Sequence, residues 1–196
     1  MTIPGGIHAM PTAIQAPKDY PVAAPTGMPM LVLWAILLAA IGLPLALMLG
    51  DKGVAYLASA RAWLGPALVS LTGVAVSLAY LRRRITLDAG GLTIRSTFYT
   101  RTVALGSLRL ERARVVDLAE HGELKPAIKT NGYGLPGFRS GHYRMRDGSK
   151  AFCLITDNSR VLALPLRDGS LVLLSPEQPR QLLQQLEQLA GTGHRD

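Results

Sequence analysis

Two long apolar stretches dominate the first half of the sequence. They cover residues 30–49 and 62–81, contain no Asp, Glu, Lys or Arg, and are separated by a short loop. A hydrocarbon core about 30 Å thick is crossed by roughly 20 helical residues. The pattern therefore predicts a transmembrane hairpin of two helices over residues 30–81.

Beyond residue 84 the apolar positions recur with a period of two, which is typical of half-buried strands. Around the turn 89–91, residues Ile85, Leu87, Leu92 and Ile94 are predicted to face inward. Further strands are predicted at 98–105, 112–118, 142–146, 151–156, 161–166 and 171–174, which makes about seven. Residues 120–137 are predicted to form a loop.

The last element has the pattern of an amphipathic helix. Its apolar side is Leu182, Leu183, Leu186 and Leu189, with Ser175 as the predicted cap, Pro176 at the first position and Gly191 at the end. Seven short antiparallel strands and one such helix predict a curved sheet or partly open barrel whose open end the helix covers. The fold class is therefore α+β.

The remaining segments complete a prediction of four regions. The proline-rich residues 1–29 are predicted to be a disordered tail, 30–81 the helical hairpin, 82–190 a folded domain and 191–196 a short tail. In the second apolar stretch, Gly73 and Ser77 are four residues apart, a spacing that permits close approach of the two helices or of two copies of the chain.

The net charge of +8 is concentrated after the apolar stretches. Arg82, Arg83 and Arg84 directly follow the second stretch and are predicted to be a membrane-proximal anchor on the cytoplasmic side. With two spans, both termini are then cytoplasmic. A basic domain at this place would be attracted to anionic headgroups, although the charge also fits a solvated surface without a specific ligand.

A glycine-rich segment at 131–141 is the best candidate for a ligand site. Backbone amides in such a loop can form an anion-binding concavity, and basic side chains stand close to it in sequence. The candidate residues for binding a ligand or anionic lipid are Gly134, Gly137, Arg139, Arg144 and Arg146. The competing interpretation is a structural loop that packs Tyr133, Leu135 and Phe138 over the sheet.

The sequence offers little support for catalysis. The single cysteine, Cys153, and the separated histidines do not have the spacing of a metal site, and no serine elbow is present. Asp147, Asp157 and Asp168 all fall in predicted turns, where carboxylates bond the local backbone. We therefore predict no catalytic residue, no cofactor and no metal. Nucleic acid is also not predicted as a partner, because no aromatic platform is interleaved with the basic residues.

Several segments together resemble a known family. They are residues 133–148, Lys150 to Phe152, Thr156 with Asp157, and Ser175 with Pro176. This set is similar to membrane-anchored bacterial proteins with a pleckstrin-homology (PH)-like domain, over residues 85–189 and the hairpin before them. The resemblance implies the PH superfold, a membrane location and, for most members, no assigned activity. Together with the two predicted spans, the predicted location is the bacterial inner membrane, as a multi-pass protein.

The sequence thus leads to one interpretation of function and one alternative. The first is an integral membrane protein whose cytoplasmic PH-like domain is a non-catalytic binding or scaffolding module at the membrane surface. The alternative is an accessory subunit of a larger envelope or transport complex. The predicted partners are the phospholipid bilayer and either a protein partner or a second copy of the chain.

Overall fold

The computed structural model describes residues 17–24, 28–52 and 59–192. These residues form an α+β structure with two long helices ahead of a sheet domain, as predicted. The elements are β1 Lys18–Tyr20, α1 Met28–Lys52, α2 Ala60–Leu81, β2 Arg83–Asp88, β3 Gly91–Ser96, β4 Tyr99–Ala104, β5 Arg114–Val116, β6 Ile128–Leu135, β7 Phe138–Arg144, β8 Lys150–Ile155, β9 Val161–Pro165, β10 Leu171–Leu174 and α3 Pro179–Thr192.

Helices α1 and α2 pack against each other. A Cβ at Gly73 would lie only 2.6 Å from Cδ1 of Leu37, so the missing side chain leaves the space that Leu37 occupies. The Ser77 hydroxyl is turned back onto its own helix and donates to the Gly73 carbonyl at 2.8 Å. Gly73 therefore serves contact between the two helices of one chain.

Among the described residues, α2 is the one helix whose length and hydropathy suit a membrane span. The apolar part of α1, Leu31–Leu47, is shorter. On both helices large apolar side chains point away from the protein, and eight leucines among the described residues are each more than 60% exposed: Leu31, Leu38, Leu43, Leu47, Leu64, Leu68, Leu71 and Leu78. The two predicted helices are thus present, while the double crossing of a membrane is taken up below as a proposal.

Strand β1 corrects part of the prediction for residues 1–29. Instead of being disordered, Lys18–Tyr20 pairs antiparallel with β2, with Tyr20 opposite Ile85. The Tyr20 ring is buried, and the Ala23 N–H donates to the Ser175 carbonyl at 2.9 Å. The proline-rich composition concealed this strand, because three residues suffice once an open sheet edge supplies the hydrogen-bond partners. Residues 1–16 and 25–27 of the predicted tail lie outside the described residues.

Two sheets form the domain. The first has the order β1-β2-β3-β4 and contains the predicted hairpin, with Ile85, Leu87, Leu92 and Ile94 buried as expected. The second has the order β5-β9-β10-β8-β7-β6. Its strands are antiparallel except for β8 and β10, which run parallel because the β9–β10 hairpin inserts β10 beside β8.

Apolar side chains are buried on both faces of the second sheet. One face packs against the first sheet and α3 through side chains such as Phe152, Leu164 and Leu186. The other face packs around Leu118, Cys153 and Leu173. Strands β8, β9 and β10 are therefore almost continuously apolar, as expected for strands with no solvent-facing side.

Helix α3 begins three residues later than predicted. Ser175 does not cap it, because its hydroxyl is buried and donates to the Asp157 carbonyl at 2.8 Å. Pro179 occupies the first helical position, which suits a residue without an N–H. The helix continues past Gly191 to Thr192, and residues 193–196 of the predicted tail lie outside the described residues. Leu182 and Leu186 are fully buried, which confirms the predicted apolar side.

Candidate functional site

The predicted glycine-rich loop is a β-hairpin. Strands β6 and β7 pair from Ile128 opposite Arg144 to Leu135 opposite Phe138. Pro136 and Gly137 form the turn, and Gly137 has a φ of 77°, which glycine adopts without strain. The backbone that the sequence predicts to be a concave loop is therefore hydrogen-bonded in the β6–β7 ladder. The glycines and other small residues of this segment are compatible with a strand as well as with a loop.

The glycines of β6 make room for one aromatic ring. A Cβ on Gly132 would lie 3.2 Å from Cε2 of Tyr143, and a Cβ on Gly134 would lie 3.0 Å from its hydroxyl oxygen. The Tyr143 hydroxyl donates to the Tyr133 carbonyl at 3.2 Å. Burial raises the pKa of Tyr143 to about 12. Gly134 thus has a packing role and Gly137 a turn role in this hairpin.

The structure separates the three predicted arginines. Arg139 and Arg144 are five residues apart on β7, which places them on opposite faces of the sheet and roughly 17 Å apart along the strand. Arg139 donates to Oδ1 of Asn158 at 3.4 Å. Arg146 is exposed beyond the end of β7. The five predicted residues therefore do not form one cluster.

Arg144 instead belongs to a cleft between the two sheets. The cleft has a volume of about 270 Å³. It is lined by Arg101 from β4, Thr130 from β6, His142 and Arg144 from β7, Lys150 from β8, and Asp168 at the rim, together with Tyr143, Ala151 and Ser170. We call this the β4–β8 cleft. It joins residues from four strands and two sheets.

Three cations converge on the β4–β8 cleft without an acidic partner in direct contact. Arg144 and Lys150 are directly opposite each other on adjacent strands, an arrangement that is unfavourable for like charges. Arg101 donates to the Ser170 hydroxyl at 3.2 Å, and its guanidinium lies 5.8 Å from the centre of the Phe152 ring. Within the part of the chain that the structure describes, none of the three lies within 4.0 Å of a carboxylate oxygen.

Asp168 is the one carboxylate that lines the cleft, and it is already engaged. It accepts the Ser170 N–H at 2.8 Å. Hydrogen bonds from Ser170, with a smaller contribution from Arg101, lower the pKa of Asp168. The cleft therefore keeps a net positive charge at neutral pH.

The centre of the cleft is held rigidly. The His142 ring lies edge-on between Tyr99 and Phe152, with centroid distances of 5.7 and 5.1 Å. A bulge at Thr130 interrupts the β6–β7 ladder, and the Thr130 hydroxyl donates to the His142 carbonyl at 3.0 Å. Cations around a polar and aromatic floor suit an anion such as a phosphate group.

Sequence reasoning found one member of this cleft and missed the others. The turn at Asp147 and Gly148 carried enough information to place Arg144 opposite Lys150. Arg101 gave no such signal, because it comes from the other sheet and is brought near only by the packing of the sheets. The bulge at Thr130 gave no signal either, because it lies in a segment that is predicted to be a loop.

The arginine triplet marks the junction between α2 and the domain. Arg82 ends the helix, with its N–H donating to the Ala79 carbonyl. The Arg83 guanidinium lies 4.9 Å from the centre of the Tyr80 ring, and burial lowers the pKa of Arg83. Arg84 is exposed and lies 3.7 Å from a carboxylate oxygen of Asp19 on β1. Only Arg82 and Arg84 thus face solvent.

Tyr80 fastens the end of α2 to the domain. Its ring meets Phe138 edge-on, with centroids 4.7 Å apart, and both rings are buried. Phe138 follows the β6–β7 turn directly. The domain is therefore packed directly against the end of α2.

The described residues give no geometric support for metal or acid–base chemistry. They contain no group of three or more His, Cys, Asp or Glu side chains placed to hold a metal. Burial raises the pKa of the Cys153 thiol, and this side chain is fully enclosed. Asp147, Asp157 and Asp168 each accept the N–H of the serine two residues later, so the prediction that they make turns is confirmed.

Comparison with known proteins identifies the domain. The family model described as "Bacterial PH domain" matches residues 83–190, more than half of the chain. No curated protein and no solved structure shows a significant match. PH domains are typically non-catalytic binding modules. The matched range begins at the start of β2 and includes both sheets except β1, together with almost all of α3. The chain therefore belongs to the bacterial PH domain family.

Proposed function

We propose that this protein is a membrane-anchored binding module that takes a small phosphate-bearing anion in the β4–β8 cleft. The observation that carries the proposal is the convergence of Arg101, Arg144 and Lys150 from two sheets without an acid in contact. Uncompensated like charges at opposed positions lower stability, and a bound anion would remove that penalty. No catalytic step is part of the proposal.

The anchor in this proposal is the pair α1 and α2, both of which cross the bacterial inner membrane. Both helices carry several largely exposed leucines, which is unfavourable in water and favourable in lipid. The arginine triplet at the end of α2 favours a cytoplasmic domain. Strand β1 supports the placement of both helix ends on one side, because the segment before α1 pairs with β2 after α2.

The position of the cleft favours a soluble ligand over a lipid headgroup. Phe138 at the start of β7 contacts the end of α2, and Arg144 is six residues further along the same strand. At about 3.3 Å per residue, Arg144 and the side of the cleft that it lines are roughly 20 Å from that contact. A phosphate compound arriving from the cytoplasm reaches it without leaving water.

The test compares two triple variants of the full chain in lipid nanodiscs. The first, Arg101→Gln/Arg144→Gln/Lys150→Gln, removes the cleft cations. The matched control, Arg112→Gln/Arg139→Gln/Arg146→Gln, removes three positive charges elsewhere on the domain. Calorimetric titration with pyrophosphate is expected to show binding to the native protein and to the control, weakened at least about tenfold in the cleft variant, because each charged hydrogen bond contributes about 1.5–3 kcal/mol.

Two further results would redirect the proposal. Equal loss of pyrophosphate binding in both variants would show a diffuse charge effect and would contradict a defined site. If pyrophosphate fails to bind but anionic vesicles bind the native domain more tightly than the cleft variant, the phosphate belongs to a lipid headgroup.

Purification in mild detergent addresses the alternative of an accessory subunit, which predicts a stoichiometric membrane partner.

A further inference from the structure

An exposed phenylalanine stands beside the end of α2. Phe98 follows Thr97 in the two-residue turn that connects β3 and β4, and its side chain is 59% exposed. Turn positions of this kind usually carry Gly, Asn or Asp, because their backbone conformations favour them. Turn geometry therefore does not account for an aromatic side chain at this position.

The turn is attached to the helix end by the backbone. The Thr97 N–H donates to the Arg82 carbonyl at 2.9 Å, and Arg82 is the residue that ends α2. Thr97 itself is buried and has a φ of 55°, which is strained for a β-branched residue. The turn thus keeps an unfavourable backbone conformation while presenting Phe98 outward.

The rest of the domain holds this turn in place. The Ser96 hydroxyl and the Ser140 hydroxyl are hydrogen-bonded at 2.7 Å, and both are buried. Pro136 and Gly137 of the β6–β7 turn are exposed next to Phe138, which contacts Tyr80 of α2. Two turns of the domain therefore flank the same helix end.

Basic residues lie close to this turn on the connecting strands. Arg82 and Arg84 are exposed after α2, and Arg95 is directly opposite Arg84 on β3. An exposed apolar ring with nearby cations is a composition that suits the interface of a bilayer with anionic lipid. The outward leucines of α2 continue up to Leu81, which is 59% exposed.

We propose that the β3–β4 turn inserts Phe98 into the lipid interface and so fixes the tilt of the domain on the membrane. The inference rests on the proposed crossing of the membrane by α2, since that crossing brings Arg82 to headgroup level. The occupant is lipid and not protein, because the turn is hydrogen-bonded to the residue that ends α2, whose exposed leucines reach Leu81, and because the nearby cations match anionic headgroups. The β4–β8 cleft is then held at a constant height above the bilayer.

The test uses an environment-sensitive NBD fluorophore on single engineered cysteines in the full chain, reconstituted in nanodiscs with anionic lipid. Phe98→Cys probes the turn. Ala89→Cys is the matched control, because Ala89 is exposed in the β2–β3 turn at the opposite end of the same strands. Leu71→Cys, in α2, reports whether the helix is in lipid. Cys153 is fully buried and stays unlabelled.

The expected result is a blue-shifted emission at position 98 that is quenched by lipids spin-labelled near the headgroup, with aqueous emission at 89. The inference is overturned if position 98 behaves like position 89 while position 71 is quenched by deeply labelled lipids. An aqueous signal at 71 would contradict the membrane crossing and the inference together. Protection of position 98 in native membranes but not in nanodiscs would indicate a protein partner and would overturn the lipid assignment.

Discussion

The helical pair and the PH domain use the same residue type in opposite ways. Leu68 and Leu71 of α2 are about two-thirds exposed, whereas Leu154 and Leu164 of the domain are fully buried. In the domain the apolar side chains are removed from water by packing on each other. On the helices they are placed outward, which is stable only if the surrounding medium is itself apolar.

The difference teaches where to look for function in this chain. In the part of the chain that the structure describes, the helices contact mainly each other, and under the proposed function the bilayer is their other surrounding. The domain has a packed core on both sides of one sheet, and its deviations from a purely structural pattern stand out. Opposed cations at Arg144 and Lys150 and an exposed ring at Phe98 are two such deviations.

The largest expected effect comes from making one substitution in both regions. Leu154→Ala removes a fully buried side chain and is expected to lower the free energy of unfolding of the domain by about 2–5 kcal/mol. Leu68→Ala changes a lipid-facing side chain and is expected to leave domain stability unchanged. Urea unfolding in detergent micelles measures both variants. An equal loss of unfolding free energy at the two positions would contradict the view that Leu154 is stabilised by the domain core and Leu68 by lipid.

A charge in the middle of α2 tests the same comparison from the helix side. Leu71→Arg is expected to cost about 2.5–3.5 kcal/mol of membrane insertion, because the guanidinium would face hydrocarbon. Resistance to alkaline extraction from membranes should fall accordingly. Thr102→Arg, an exposed position on β4, is the control and should have little effect. An unaffected Leu71→Arg protein would mean that this side of α2 is in water.

The contact between the helices is the next smaller effect. Gly73→Leu adds a side chain where Leu37 already fills the space, and overpacking of this kind costs about 1–3 kcal/mol. Separation of the helices can be measured by the loss of a disulfide crosslink between cysteines placed on α1 and α2. Adding Leu37→Ala should restore the crosslink. Failure of this rescue would show that Gly73 serves another contact.

The smallest expected effect is a dependence of the domain's stability on acidic pH through Asp157. Hydrogen bonds from Ser159 hold the pKa of Asp157 below its ordinary value. A lowered folded-state pKa stabilises the domain above the unfolded pKa of about 3.9, and this contribution disappears as the pH falls through the folded value. Ser159→Ala should raise the pKa of Asp157 toward 3.9, as measured by NMR titration of the carboxyl carbon. Ser149→Ala serves as control and should leave Asp157 unchanged.

Residues 85–118 show how far local pattern carries prediction. The alternation of Ile85, Leu87, Leu92 and Ile94 was sufficient to place a hairpin and its buried face, because period and turn are both local properties. The final helix was predicted for the same reason, although its start was displaced. Serine is a favoured helix cap, but in the folded domain the Ser175 hydroxyl donates to the backbone carbonyl of Asp157 instead.

The features that escaped prediction depend on distant partners. Tyr20 joins the sheet only because β2 offers an unpaired edge, and Arg101 reaches the cleft only because two sheets cross. The segment 131–141 is misleading for a different reason: its glycines weaken the strand signal and are themselves a loop signal. In the structure the glycines lie on a strand, where Gly132 and Gly134 leave the space that the Tyr143 side chain occupies.

Strand β1 also constrains the order in which the protein is made. Tyr20 precedes Arg83 by 63 residues, and the intervening chain contains both helices. During synthesis Lys18–Tyr20 is finished long before β2 exists, so it waits unpaired until the ribosome has produced the second helix and the strand after it. Closing this loop becomes possible once both helices have been made, and it needs the chain before α1 to return to the chain after α2. On the proposed topology, pairing of this smallest strand thus requires that both helices cross the membrane.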